Sequence, residues 1–454
     1  MSGHSQPPAL LTRSQATYVW RGVFWVCVYL GLALAPLAVL LLGPTPPGGG
    51  FWFDLSLALG FAGTAMIGVQ FVLTARFRRT SAPFGIDIIY YFHRYAAVVG
   101  FLLVLAHPAI LVIENPGYVE LLNPLEAPWY MTAGLVSLAA MLALLVTSLW
   151  RKQLRIDYDH WRIGHGILAV AALALALLHI NSIGYYVAEP WQRGLWSVIL
   201  ASWLALLVYI RIVRPVRLLR APYRVAEIRE ERGSSWTVAL DPVGHGGFSF
   251  EPGQFVWLSL RASPFALREH PFSISSSPES APRVEVTIKE LGDFTRTIKD
   301  IEPGEIGYVD GPYGAFSIDR HSAAPGYVFI AGGIGVAPMM SMLRTLAARG
   351  DRRPHVLVCA HSCWERVIFR EEIHALADKL QLHVVHALED PPADWSGEVG
   401  YVTAAMLDRH LPTERADLEY FICGPAPMIT KVERALYELG VPVRRFHTEL
   451  FDLV

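Results

Sequence analysis

Six long apolar stretches fill the first half of the chain, near residues 20–43, 53–75, 86–112, 129–150, 162–183 and 194–213. Each is close to the roughly 20 residues that a helix needs to cross about 30 Å of hydrocarbon, so the pattern predicts six membrane spans. The first begins at Trp20 and Arg21 behind a polar leader (residues 1–19). It lacks a small-residue cleavage site and reads as a retained span, not a signal peptide. After Pro222 the pattern changes to short alternating runs (TVAL, FVWLSL, VEVTIK) broken by Gly and Pro, which predict an antiparallel β-barrel over residues 221–322. From residue 323 it changes again. GYVFIA (326–331) predicts a buried strand, GGIGVAP (332–338) a glycine turn, PMMSMLRTLAARG (338–350) a helix and HVLVCA (355–360) a second strand. That order predicts a doubly wound parallel sheet with a phosphate-binding turn at a helix start, over residues 323–454. The expected fold is therefore multi-domain: a six-helix transmembrane bundle (20–220), an antiparallel β-barrel and an α/β nucleotide-binding domain.

Composition agrees with part of the chain living in lipid: mean hydropathy is +0.35 and only 17% of residues are charged. The charge is uneven, with 13 Lys/Arg and 8 Asp/Glu in residues 1–215 against 38 and 40 in the whole chain. A net charge of −2 leaves no long basic face to displace counterions from phosphate, which argues against a nucleic-acid partner. The four cysteines (Cys27, Cys359, Cys363, Cys423) form neither a disulfide framework nor a zinc-ligand pattern, and Cys359 and Cys363 read as packing residues. Arg76, Arg78 and Arg79, then Arg151, Lys152 and Arg155, then Arg211, Arg214, Arg217 and Arg220 fall on one side of the predicted bundle. The opposite loops carry Glu114, Glu120, Glu126 and Glu189, with Arg193 their only basic residue. Positive charge marks the cytoplasm, so both termini and the second half are expected there, most simply at a prokaryotic plasma membrane.

Ionisable groups inside spans are costly and usually functional, which singles out His93 and His107 on the third span and His165 and His179 on the fifth. Each pair is 14 residues apart, or about 21 Å along a helix and within about 40° of the same face. Two such helices side by side can hold two stacked metal centres, each between one histidine from each helix, as in bis-histidine b-type haem. His93 and His165 belong to the cytoplasmic level, His107 and His179 to the outer level. No C-x-x-C-H sequence occurs, which excludes covalent haem attachment. His160, five residues before His165, is assigned to the interface, and Arg94 and Arg162 are candidate partners for haem propionates.

HPFSISSSP (270–278), KELGDFT (289–295), GPYG (311–314), AGGIGVAPMMSML (331–343) and CGPAPMI (423–429) occur in the order found in the ferredoxin–NADP reductase superfamily. Joined to the histidine-bearing spans, they make a chain that resembles the ferric reductase and NADPH oxidase family. The resemblance implies an FAD-binding barrel in which His270, Pro271, Phe272 and Ser273 line the flavin and its arm, and Lys289, Gly292 and Thr295 hold the FAD pyrophosphate. It places the nicotinamide nucleotide on Gly332, Gly333, Gly335 and Pro338, with Cys423, Gly424 and Pro425 near the nicotinamide. Phe451, in the terminal HTELF, would cover the flavin face, although three residues follow it here. Ser273, Cys423 and Phe451 are the expected catalytic positions. Selection of NADPH, with NADH the alternative donor, turns on groups after the second strand of the nucleotide domain; Ser362, Arg366 and Arg370 are candidates, and no acidic residue ends that strand.

These parts predict one wire from NADPH through FAD and two b-type haems to an extracytoplasmic acceptor. A flavin belongs in the middle because it accepts electrons in pairs and releases them singly. The acceptor is expected to be oxygen or a ferric chelate. Eukaryotic NADPH oxidases usually place a further histidine one turn after the outer ligand on the third span; Leu111 stands there, and Phe53 to Ala58 contain no arginine. The alternative of another class is a histidine-lined ion or proton pathway gated by a redox-sensing cytoplasmic half.

Overall fold

The computed structural model describes residues 13–42, 46–75, 86–266 and 268–450, which form two compact units. Residues 1–12 of the leader, Arg76, Arg78, Arg79 and Phe451 lie outside the described residues.

The first unit consists of α1 (Arg13–Leu40), α2 (Phe51–Thr74), α3 (Ile86–Glu114), α4 (Trp129–Leu149), α5 (Tyr158–Ile183) and α6 (Pro190–Val208). All six are long and apolar enough to cross a bilayer, where only a helix satisfies its own backbone polar groups within one segment. Lipid tails supply no hydrophobic drive between helices, so close approach at small residues does the work. Gly63 of α2 shows this: a Cβ there would lie 2.8 Å from the Gly100 carbonyl oxygen of α3. A Cβ at Gly68 would lie 2.0 Å from the Trp203 ring of α6. Leu40, Leu177, Val187 and Trp196 complete a buried core, while Phe24, Leu102, Ile167 and Val198 point outward, as lipid-facing side chains should.

After one π-helical turn (Tyr209–Val213) comes the short α7 (Arg214–Leu219) of the second unit, followed by a six-stranded antiparallel sheet. Its strands are β1 (Tyr223–Glu231), β2 (Ser235–Pro242), β3 (Phe255–Leu260), β4 (His270–Ser273), β5 (Val284–Lys289) and β6 (Ile306–Tyr313), in the order β4-β3-β6-β1-β2-β5, with the one-turn α8 (Asp293–Arg296) after β5. An antiparallel bridge from Ile274 to Val286 joins the two edges and closes the barrel. Inward residues such as Val225, Val238, Leu258, Val286 and Ile288 form its core.

The second sheet is parallel, with β7 (Tyr327–Gly332), β8 (Pro354–His361), β9 (Gln381–Leu388), β10 (Glu398–Val399), β11 (Glu419–Gly424) and β12 (Phe446–Leu450) in the order β10-β9-β8-β7-β11-β12. Helices α9 (Val336–Ala348) and α10 (Arg370–Ala377) pack on one face, α11 (Ala404–His410) and α12 (Ala426–Glu438) on the other. The strand order reverses between β7 and β11, and ligands of open α/β sheets bind at the carboxyl ends of strands at such a switch point. α9 is also pinned to the barrel. Ser341 Oγ donates to the Ser276 carbonyl at 2.6 Å, and the Arg344 guanidinium reaches Glu285, Glu372 and the Ser275 carbonyl.

Candidate functional site

α3 and α5 bring their histidines together in two pairs. The ring centroids of His93 and His165 are 6.5 Å apart and those of His107 and His179 are 6.4 Å apart. A metal–imidazole bond is about 2.0–2.1 Å; adding about 1 Å from each nitrogen to its ring centre, two imidazoles on opposite sides of one metal sit about 6.2 Å apart. Both pairs meet that spacing. Each ring is also oriented by its far nitrogen. His93 Nδ1 faces Gln70 Oε1 at 2.9 Å, and His107 Nδ1 faces Ser56 Oγ at 2.9 Å and the Ser56 carbonyl at 3.1 Å. His165 Nδ1 lies 3.2 Å from Ser148 Oγ, and His179 Nδ1 donates to the Tyr130 carbonyl at 2.8 Å. The carbonyl and amide oxygens on Nδ1 of His93, His107 and His179 fix the tautomer that carries its lone pair on Nε2, the arrangement ligating histidines use.

Glycine makes room for these rings. A Cβ at Gly134 of α4 would lie 2.7 Å from His179 Nδ1, and one at Gly60 of α2 would lie 3.2 Å from His107 Cγ. A cavity of about 310 Å³ opens around His107 and His179, walled by apolar side chains that include Leu57, Phe61, Val104, Leu111 and Leu138. Two facing imidazoles in an apolar slot fit a haem, whose iron His107 and His179 would hold and whose hydrophobic ring the apolar walls would cover. His160 is exposed and pairs with Asp157 at 3.0 Å, apart from both histidine pairs, and Arg94 is exposed.

The orienting groups were passed over in the sequence, yet they carry a signal. Ser56 and Gln70 are polar residues 14 positions apart in the second span, the spacing of His93 and His107 in the third, and they meet those histidines in antiparallel order.

In the barrel, β4 carries His270 to Ser273. Ser273 is buried and its Oγ has no hydrogen-bond partner, an orphan that a cofactor's polar atom would satisfy. The His270 ring stacks on Phe294 with centroids 4.0 Å apart. Thr295 turns inward to its own loop, its Oγ accepting the N–H groups of Leu291 and Gly292 at 2.8 Å each. Lys289 ends β5 beside the glycine turn, its Nζ 3.9 Å from where a Cβ on Gly333 would stand. Burial, and then the Arg366 guanidinium, hold the Lys289 ammonium below the ordinary lysine range, which marks a cationic corner short of anions.

The turn itself is built by close approach. Gly333 has φ +53°, open to glycine at little cost. A Cβ on Gly335 would meet the Cys423 carbonyl oxygen at 2.2 Å, and one on Gly332 would meet Met428 Sδ at 2.6 Å. Gly332 and Gly424 therefore lie side by side at the switch point, with Pro338 buried in the first turn of α9 and Pro425 capping α12. Cys423 is wholly buried, and burial raises its thiol well above the ordinary range; Cys359 is pushed up to about 12. Neither ionises at neutral pH. Ser362 and Arg366 are exposed just beyond β8, whereas Arg370 is committed to Glu371 and to the face of Trp364, 4.7 Å away. A separate cluster of His321, Glu419 and His447 lies at the start of β11. There Arg445 and His447 occupy the Glu419 carboxylate, and burial lowers His321 to about 4.

Comparison with known proteins agrees with this division. Residues 59–176 match the family described as ferric reductase like transmembrane component, 242–303 an FAD-binding domain and 329–434 an oxidoreductase NAD-binding domain. The chain belongs to the class in which a ferric reductase-like membrane component is fused to an FAD- and NAD-binding reductase module. The reductase half belongs to the ferredoxin–NADP reductase family: it is 36% identical over 216 residues to ferredoxin–NADP reductase B of Sorangium cellulosum, a match covering 45% of this chain and 86% of that protein. A flavohemoprotein of Bordetella pertussis is 30% identical over 50% of this chain and 60% of its own length. Among solved structures, a ferredoxin NADP+ reductase from Neisseria gonorrhoeae with bound FAD and NADP superposes with a TM-score of 0.44 at 19% identity, over 50% of this chain and 97% of its own. The chain is thus an integral membrane oxidoreductase with FAD- and NAD(P)H-binding domains.

Proposed function

We propose that the chain carries electrons from cytoplasmic NADPH, through FAD and two stacked b-type haems, to oxygen or a ferric chelate on the far side of the membrane. The observation that carries this reading is the pair of cross-helix histidine contacts, at 6.5 and 6.4 Å, with all four Nδ1 atoms occupied. Occupied Nδ1 atoms also favour ligation over a histidine-lined ion path, whose imidazoles must exchange protons at both nitrogens. When bound, FAD would supply the conversion of a hydride into two single electrons and the haems one-electron centres, held by histidine pairs about 21 Å apart along the helices.

The residues of the chain do the rest. The glycine turn and the β11 end receive the nucleotide, Arg366 opposes its phosphate, Lys289 opposes the FAD pyrophosphate, and Ser273 offers a hydroxyl to the flavin. α3 and α5 hold the two iron sites in a slot of low dielectric. Two electrons cross for each NADPH oxidised, and the proton stays on the nucleotide side. Arg151, Lys152 and Arg155 between α4 and α5, against Glu114, Glu120 and Glu126 between α3 and α4, support a cytoplasmic second half.

An anaerobic absorption spectrum of the detergent-purified protein, before and after NADPH, tests the reading. Haem bands that convert to the reduced form on nucleotide addition are the expected result, and folded protein free of haem overturns it. Admitting air with a superoxide probe, or adding a ferric chelate, then separates the two acceptors.

Arg366→Ala should raise KM for NADPH by about tenfold or more, the effect of losing one charge-assisted contact, and leave KM for NADH nearly unchanged. Equal effects on the two nucleotides would assign Arg366 to structure.

A further inference from the structure

A primary amide inside a membrane span must find partners, and Gln70 of α2 is buried. Its Nε2 donates to the Tyr29 hydroxyl oxygen at 2.6 Å and to the Met66 carbonyl at 3.0 Å. Tyr29 donates its own hydrogen to the same Met66 carbonyl at 3.2 Å, so its oxygen is free to accept from Gln70. Two acceptors on the nitrogen side fix which way the amide points and leave Oε1 facing His93 Nδ1 at 2.9 Å. The other three histidines are held differently. His107 meets the Ser56 hydroxyl and also the Ser56 backbone carbonyl, His179 meets the Tyr130 backbone carbonyl, neither carbonyl being removed by substitution, and His165 meets a serine hydroxyl that can donate as well as accept. Gln70 Oε1 can only accept in this orientation, and unlike the backbone carbonyls it can be removed by substitution without a second acceptor taking its place on the same Nδ1.

From this geometry we infer that Gln70, clamped by Tyr29, is a positioning residue that sets the reduction potential of the iron centre between His93 and His165. The inference rests on the bis-histidine reading above. An acceptor on Nδ1–H makes the imidazole a stronger donor, which stabilises the oxidised iron relative to the reduced one. Tyr29 lies on α1, ahead of the matched region at 59–176, which gives the first span a part in the redox site.

The test is a potentiometric titration of the purified two-haem protein. Gln70→Met keeps length and removes the strong acceptor. One of the two components should shift upward, by about 59 mV for a tenfold loss in relative stabilisation of the oxidised form, while the other stays in place. Gln70→Glu restores an acceptor and should return the shifted component to its starting value or below. If Gln70→Met does not retain haem, Tyr29→Phe, which removes one of the two clamps on the amide, decides by the same titration. Unchanged potentials in the variant that retains both haems, or equal movement of both components, overturn the inference. A wild-type protein without haem would instead overturn the bis-histidine reading itself.

Discussion

Replacement of His179 by alanine is expected to leave one haem per chain instead of two, with the remaining haem still reducible by NADPH. The two histidine pairs share no residue and stand about 21 Å apart along α3 and α5, so loss of one ligand need not empty the other site. Electrons would reach the His93/His165 level and stop there. Reduction of an acceptor on the far face should fall at least tenfold, equivalent to about 1.4 kcal/mol on the barrier, with flavin reduction unchanged. Gly134→Ala should give the same phenotype without touching a ligand. Its methyl would stand 2.7 Å from His179 Nδ1 and push the ring off the Tyr130 carbonyl. His93→Ala should do the reverse, sparing the far haem but disconnecting it from NADPH. Haem content by pyridine haemochromogen, read beside the anaerobic NADPH spectrum, separates His93→Ala from the other two proteins. Loss of both haems from folded His179→Ala would contradict separate sites.

The two histidine pairs were legible because they need only two regularities, apolar length and the 14-residue interval, and each lies within a single helix. The orienting set was not, because it is a property of helix pairs. Ser56, Gln70 and the Tyr130 carbonyl sit on α2 and α4, and nothing in those spans alone says that they face α3 and α5. The interval from Ser56 to Gln70 becomes meaningful once α2 and α3 are known to run against each other. The soluble half divides in the same way. The glycine turn and its helix follow from strand, turn and amphipathic pattern, but the engagement of Arg370 with Trp364 and of Thr295 with its own loop depends on local folding. Those two contacts leave Lys289, Ser362 and Arg366 as the candidate side chains for the proposed phosphate contacts.

Gly335→Ala should cost the nucleotide domain about 1–3 kcal/mol and raise KM for NADPH by tenfold or more, with haem content unchanged. The reason is space rather than conformation. Gly335 has φ −58°, which alanine adopts freely, but the added methyl would lie 2.2 Å from the Cys423 carbonyl oxygen and 2.6 Å from its carbon. That carbonyl cannot yield, because Cys423 is laddered to Ala331 on one side and Glu449 on the other. The turn must therefore move away from β11, opening the crevice in which the nucleotide is proposed to lie. Gly333→Ala offers the contrast. Its φ of +53° imposes a strain of about 1–2 kcal/mol, but the nearest atom to the new methyl is the flexible end of Lys289 at 3.9 Å, so the crevice keeps its width. Stopped-flow flavin reduction against NADPH concentration, with thermal unfolding of each variant, separates the two effects. A Gly335→Ala protein that melts earlier yet binds NADPH as tightly as wild type would place the nucleotide somewhere other than the β7–β11 crevice.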